Sequence, residues 1–170
     1  AVYDNQKFKW MSSQHLAMQN EKSILDGIIK LDEKWGTPKN IKFKLKVIGM
    51  MKQRSHSLLE IMEQSYYFFK GPKRLNNLEH GTFWEIDAIT LIKELNSSIM
   101  SIEDWSYEKI EIHIKNFITA KNLGFGRVMK PLRYAISGKT KGPSLFGIIE
   151  LIGRDEFHQR IDYATSKFLN

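Results

Sequence analysis

Lys39-Asn40-Ile41-Lys42-Phe43-Lys44-Leu45-Lys46-Val47-Ile48-Gly49-Met50-Met51-Lys52-Gln53-Arg54 is the stretch on which the fold class turns. Ile41, Phe43, Leu45 and Val47 alternate with Lys42, Lys44 and Lys46, the pattern of a strand with one buried face. The same residues set Lys42, Lys46, Gly49 and Gln53 at spacings of four, three and four, one polar stripe of a helix. The helical reading is preferred here. No convincing strand pair, internal repeat or low-complexity tract occurs elsewhere, so the chain is read as all-α.

Working outward, Ile24, Leu25, Ile28, Ile29, Leu31 and Trp35 fall largely on one side of a helix over 21–35, with Lys22, Asp26, Lys30 and Glu33 elsewhere. Thr37-Pro38 then reads as an N-cap followed by a first-turn proline opening the next helix. Downstream, Leu58, Ile61, Met62, Ser65 and Phe69 continue a helical face. Gly71-Pro72-Lys73-Arg74, Asn76-Asn77 and Gly81 form the densest cluster of helix breakers. The expected organisation is a short leading segment (1–12), a first subdomain (13–76) and a second (77–170).

In the second part, Thr82 is a candidate cap for a helix running to about Ser98, with Phe83, Ile86, Ile89, Leu91, Ile92 and Leu95 inward. Ser106, with Trp105 before it and Ile110 after it, reads as the stapled start of a helix reaching about Lys121. Turns are expected at Asn122–Gly126 and Gly138–Pro143, and Pro131 should interrupt the helix between them. An apolar helix over Leu145–Ile152 should stop at Gly153. The last helix places Phe157, Ile161, Ala164 and Phe168 on its inner side.

Charge is distributed in blocks. Residues 1–75 carry +7, residues 76–113 carry −6 and residues 114–170 carry +6, for a net +7 over 170 residues. Two basic segments flanking an acidic one suit a surface that meets a polyanion in two places. The absence of cysteine excludes disulfides, thiolate metal sites and cysteine nucleophiles. No apolar run approaches the roughly 20 residues of a membrane span, and no signal peptide is legible, so a soluble protein away from membranes is expected; a monomer is expected as well. Ala1 rather than methionine opens the chain, as in a processed or excised piece.

Candidate catalytic chemistry is sparse. The histidines at 15, 56, 80, 113 and 158 have no metal-ligand spacing, so no metal is expected, and His113 should be solvated. Gly124-Phe125-Gly126-Arg127 starts like a dinucleotide fingerprint but lacks the third glycine and a preceding strand. Asp32-Glu33, Glu103-Asp104 and Asp155-Glu156 are explained by helix ends. Tyr66, Tyr67 and Phe125 are expected to pack in the core rather than stack on bases.

Two passages carry a family resemblance. Tyr3-Asp4-Asn5-Gln6-Lys7-Phe8-Lys9-Trp10-Met11 is similar to the segment that follows the catalytic core in bacterial and organellar glutamyl-tRNA synthetases. Lys130-Pro131-Leu132-Arg133-Tyr134-Ala135-Ile136-Ser137-Gly138, then Gly142-Pro143-Ser144-Leu145 and Leu151-Ile152-Gly153, resembles that family's later signature. The resemblance implies an all-helical anticodon-binding cage of two subdomains, with residues 1–12 the tail of a stem-contact region. It implies tRNA(Glu) as partner, with tRNA(Gln) as a second possibility. Neither the family's His-x-Gly-His motif nor its Lys-Met-Ser-Lys loop occurs here, so ATP and Mg²⁺ are expected on an N-terminal catalytic domain of the same polypeptide, with this chain inactive alone and without a cofactor of its own.

At matching positions the resemblance implies anticodon contacts for Arg133 at the first base and for Arg54 near the third, where the matching arginine favours C over G in members that read only glutamate tRNA. Gly142, Pro143 and Leu145 match the loop packed against Arg133. Gly142 stands where some members have threonine, and Ser12 replaces an asparagine. Lys52, Lys130, Lys139 and Lys141 are candidate phosphate contacts. Guanidinium forks suit the exposed edges and faces of unstacked bases better than lysine does. The setting implied is the cytoplasm or an organellar matrix. The alternative is a free-standing helical adaptor that binds nucleic acid or protein without catalysis.

Overall fold

The computed structural model describes residues 5–72 and 84–167. Among these residues every regular element is helical. Two compact units divide the chain, residues 1–69 and 70–170. The boundary expected at residue 76, together with Thr82, Phe83 and Phe168, lies outside the described residues.

The first unit holds α1 (Asn5–Met18), α2 (Glu21–Leu31), α3 (Ile41–Met51), α4 (Leu58–Gln64) and α5 (Tyr66–Phe69). The deciding stretch is therefore helical. Val47, Ile48 and Met51 of α3 meet Ile24, Leu25 and Ile28 of α2 in the core, while Lys42, Lys46, Gly49 and Gln53 face solvent. Full burial of each such apolar side chain contributes about 1.5–3 kcal/mol, well above the few tenths by which β-branching disfavours a helix.

Helix α3 begins later than Thr37-Pro38 suggested. Asn40 is its N-cap, accepting a hydrogen bond from the Phe43 N–H at 2.9 Å, and Pro38 sits in the preceding turn. Helix α2 ends at Leu31, and Trp35 is buried from that turn, edge-on to Phe69 with ring centroids 4.9 Å apart. Gly36 has φ +69°, and a Cβ there would lie 2.7 Å from the Phe69 ring, so conformation and space both call for glycine. Ser65 breaks the helix expected through residue 69 into α4 and α5. The start of α4 is capped reciprocally. Ser57 Oγ accepts from the Glu60 N–H at 3.1 Å, and Glu60 Oε2 accepts from the His56 N–H at 2.6 Å.

The second unit holds α6 (Ile86–Ile99), α7 (Tyr107–Ala120), α8 (Phe125–Ser137), α9 (Leu145–Ile152) and α10 (Arg154–Lys167). Helices α6, α8 and α10 pack on one another, and α7 packs on α9. Ile92, Leu95, Ile114, Leu132, Ile136, Ile149, Phe157 and Ile161 are among the residues fully out of solvent. Ile86, expected inward, is exposed at the first position of α6. Ser106 holds the N-cap position of α7 but its hydroxyl donates to Asp104 Oδ2, and Glu150 of α9 accepts the Tyr107 N–H at 2.9 Å instead.

Pro131 does not interrupt α8, which runs through it. Proline in a helix interior costs about 3 kcal/mol, whereas Val128, Leu132 and Ile136 on the buried face each contribute about 1.5–3 kcal/mol. His113 is half-buried rather than solvated. Its Nε2 lies 2.9 Å from Ser98 Oγ of α6, and burial holds its pKa below the ordinary histidine value.

Candidate nucleic-acid interface

Helix α8 has a buried face and a basic one. Arg127 and Lys130 are exposed and Arg133 is half-buried, spaced three residues apart along one side. Arg127 pairs loosely with Asp87 of α6 at 3.6 Å. The helix ends where Gly138, at φ +67°, donates its N–H to the Tyr134 carbonyl at 2.8 Å. A left-handed residue at this position turns the chain sharply, and glycine takes it without a Cβ clash.

Ser137 fixes the path of the chain beyond the turn. Its buried hydroxyl donates to the Arg133 carbonyl at 2.8 Å and accepts from the Lys139 N–H at 3.2 Å. Lys139, Thr140 and Lys141 then project into solvent, and Gly142 is half-buried. Pro143 and Leu145 turn into the core, so their side chains hold the exit of the loop. Ser144 caps α9, accepting from the Gly147 N–H at 3.5 Å. Arg133, Lys139, Lys141, Gly142 and Pro143 thus lie in the last turns of α8 and the loop leaving it, with Lys130 one turn earlier on α8 and Leu145 at the first position of α9.

Two arginines of α10 brace this unit. Arg160 is buried, its Nε 2.8 Å from Glu156 Oε1 and its Nη1 donating to the Ile136 carbonyl at 2.8 Å. Arg154 donates to the Met100, Ile102 and Glu103 carbonyls after α6 and stacks on Trp105 at 5.2 Å. From spacing alone Arg154 falls off the inner face of the last helix, and neither arginine is marked as a brace. The available signal for Arg160 was its place beside Phe157, Ile161 and Ala164 on an otherwise apolar helix face, four residues after Glu156.

In the first unit Arg54 is exposed at the end of a short 3-10 turn, Lys52–Arg54, that continues α3. Lys52 differs from the expectation of a phosphate contact. Its Nζ donates to the Gln19 carbonyl at 2.9 Å and sits 3.2 Å from Glu21 Oε1, leaving its side chain 15% exposed. The Glu21 carboxyl is held below its ordinary pKa, first by its own backbone N–H and then by Lys52. Of the aromatics expected in the core, Tyr67 is buried, but Tyr66 is 45% exposed and Phe125 is 51% exposed. Phe125 opens α8 between Gly124 and Gly126, beside Arg127.

Residues 15–165 match the family described as the anticodon binding domain. The glutamate–tRNA ligase of Flavobacterium johnsoniae is 31% identical over 166 residues, covering 98% of this chain and 33% of the relative. The crystal structure of a glutamate tRNA ligase from Elizabethkingia meningosepticum, in complex with its amino acid, matches with a TM-score of 0.85 at 31% identity, over 93% of this chain and 31% of that one. Glutamate-tRNA synthetase from Elizabethkingia anophelis matches with a TM-score of 0.82 at 30% identity, over 96% of this chain and 32% of that one. The chain spans about a third of the length of the curated relatives it matches.

Proposed function

Because the chain belongs to the anticodon-binding domain family, we propose that it is the anticodon-reading part of a glutamate–tRNA ligase, recognising tRNA(Glu) and orienting it for aminoacylation. The observation that supports this most is the end of α8. There Arg133, half-buried with its Nη1 out of solvent and its carbonyl held by Ser137, stands next to a loop that exposes two lysines. A planar fork donates two parallel hydrogen bonds to a base edge, and flexible ammoniums neutralise neighbouring phosphates. On this reading Arg133 meets the first anticodon base, Arg54 the third, and Lys130, Lys139 and Lys141 the backbone.

The chain contributes binding rather than bond-making. ATP-dependent activation of glutamate, with its Mg²⁺, belongs to the remaining two thirds of such a ligase, and the domain on its own is inactive. The setting is the cytoplasm or an organellar matrix, where tRNA is charged. Filter binding of the 170-residue chain to tRNA(Glu), tRNA(Gln) and an unrelated tRNA at one salt concentration tests the proposal. Preference for tRNA(Glu) over the unrelated tRNA is expected, and equal affinity for all three would reject it.

A further inference from the structure

We propose that the groove between α2 and α3 is a second landing place for the phosphodiester backbone of RNA, held by Lys22, Lys42 and Lys46. The groove is open, has a volume of about 640 Å³, and is lined by these three lysines with Glu21, Leu45 and Gly49. Each lysine is exposed and makes no hydrogen bond, ion pair or ring contact among the described residues. That separates them from their neighbours: Lys44 is buried, Lys52 is tied to Glu21 and Gln19, and Lys39 lies over the Phe43 ring at 5.0 Å.

Charge and shape both point to a polyanion. Glu21 is the acid of the groove, and Lys52 already neutralises it at 3.2 Å. Lys42 and Lys46 stand one helical turn apart on α3, about 6 Å along its axis, and Lys22 approaches from α2. Gly49 brings no side chain of its own into the groove, and a Cβ there would rest in ordinary contact with Glu21 Oε1 at 3.6 Å. The lysine methylene stems and Leu45 give the walls an apolar surface against which sugar faces can lie. The row Lys42, Lys46, Gly49 and Gln53 runs along the exposed side of α3 and leads into the turn carrying Arg54. An RNA strand tracking this row arrives at the residue proposed to read a base, which favours RNA over an acidic polypeptide. The identity of that RNA rests on the anticodon reading.

The test uses the 170-residue chain, an RNA hairpin bearing the tRNA(Glu) anticodon arm, and the same hairpin with a scrambled loop. Affinity is measured across salt concentrations for the wild type, K22Q/K42Q/K46Q, K22R/K42R/K46R, and the equal-charge control K30Q/K93Q/K109Q. The groove triple should flatten the log affinity against log salt slope by about 2–3, equally for both hairpins, because each lost phosphate contact removes about 0.7–0.9. The arginine triple should restore the slope, and the control should change it by less than about 1 on the same scale. Circular dichroism shows whether each variant is folded.

If the groove triple changes the slope no more than the control does, the inference is overturned, and loop discrimination by the wild type leaves the anticodon reading standing. A flattened slope with no discrimination between hairpins supports the groove and sinks the anticodon reading. Failure of the wild type to bind either hairpin sinks both. Displacement of the RNA by poly-glutamate at equal charge concentration overturns RNA as the occupant.

Discussion

Arg160 Nη1 donates to the carbonyl of Ile136 at 2.8 Å, joining the middle of α10 to the last turn of α8. The final carbonyls of a helix lack intrahelical partners and carry the negative end of its dipole, so a buried cation there is favourable. Arg133 and the lysine loop stand on either side of this turn. The turn that carries the base-reading candidate is therefore held from another helix, through a bond that spans 24 residues between Ile136 and Arg160.

Replacing Arg160 with Gln leaves the Ile136 carbonyl and the Glu156 carboxylate without their charged donor. A loss of about 2–4 kcal/mol of stability is expected, as for other broken buried charge-assisted contacts, and urea denaturation measures it. Arg160→Lys keeps the charge but not the fork, and should recover only part of the loss. A stability change within about 0.5 kcal/mol for Arg160→Gln, the range of an ordinary surface substitution, would show that the contact is dispensable.

Arg133→Ala should weaken binding of tRNA(Glu) by about 1–3 kcal/mol, the worth of a good bidentate base contact, with little change in the salt slope. Lys139→Gln with Lys141→Gln should do the reverse, lowering the slope by about 1–2 with little effect on loop discrimination. Unchanged affinity of Arg133→Ala at matched salt removes that residue from the reading set.

Arg54→Gln should relax discrimination between anticodons ending in C and in G, since a neutral amide can serve either edge where the guanidinium favours one. Competition binding with the two anticodon-arm hairpins reads this directly. Selectivity identical to wild type would assign Arg54 to solvent.

His113 has a pH signature. Burial disfavours its imidazolium, so the folded-state pKa lies below the ordinary value of 6.5 and the unfolded chain takes up the proton first on acidification. Stability from this residue is therefore full above about pH 6.5 and declines as pH falls below it, until the folded state protonates as well. Denaturation midpoints between pH 8 and pH 5 should drop further for the wild type than for His113→Gln. Parallel profiles would mean that His113 titrates alike in both states.

Legibility in the sequence differs by kind of feature. Apolar spacing located helices well where one face is continuous. Leu145–Ile152 is a helix over the residues its apolar spacing marks, and within the strand-like Lys39–Arg54 the residues Ile41–Met51 form a helix whose buried Lys44, Val47, Ile48 and Met51 recur at spacings of three and four against α2. Local punctuation misled where tertiary burial outweighed it. Pro131 stays helical on the strength of Val128, Leu132 and Ile136 behind it, whereas Ser65 splits a helix whose apolar spacing looked unbroken. The turn at Gly138 followed from its local chemistry, but the separate fates of Lys42, Lys44, Lys46 and Lys52 did not. All four are lysines on or just after one helix, yet one is buried, one is paired and two face solvent.

By itself the sequence determined the helical class, the family and the basic character of the surface, because these rest on periodicity, short motifs and charge, all encoded within a few residues of one another. Which charged side chains are committed inside the protein and which remain for a ligand was decided only by the tertiary structure. Arg154 reaches carbonyls more than 50 residues back, Lys52 reaches Gln19 across 33, and Arg160 reaches Ile136 across 24. A cation's availability depends on whether packing brings an acceptor within about 3 Å of it, and no local pattern records that distance.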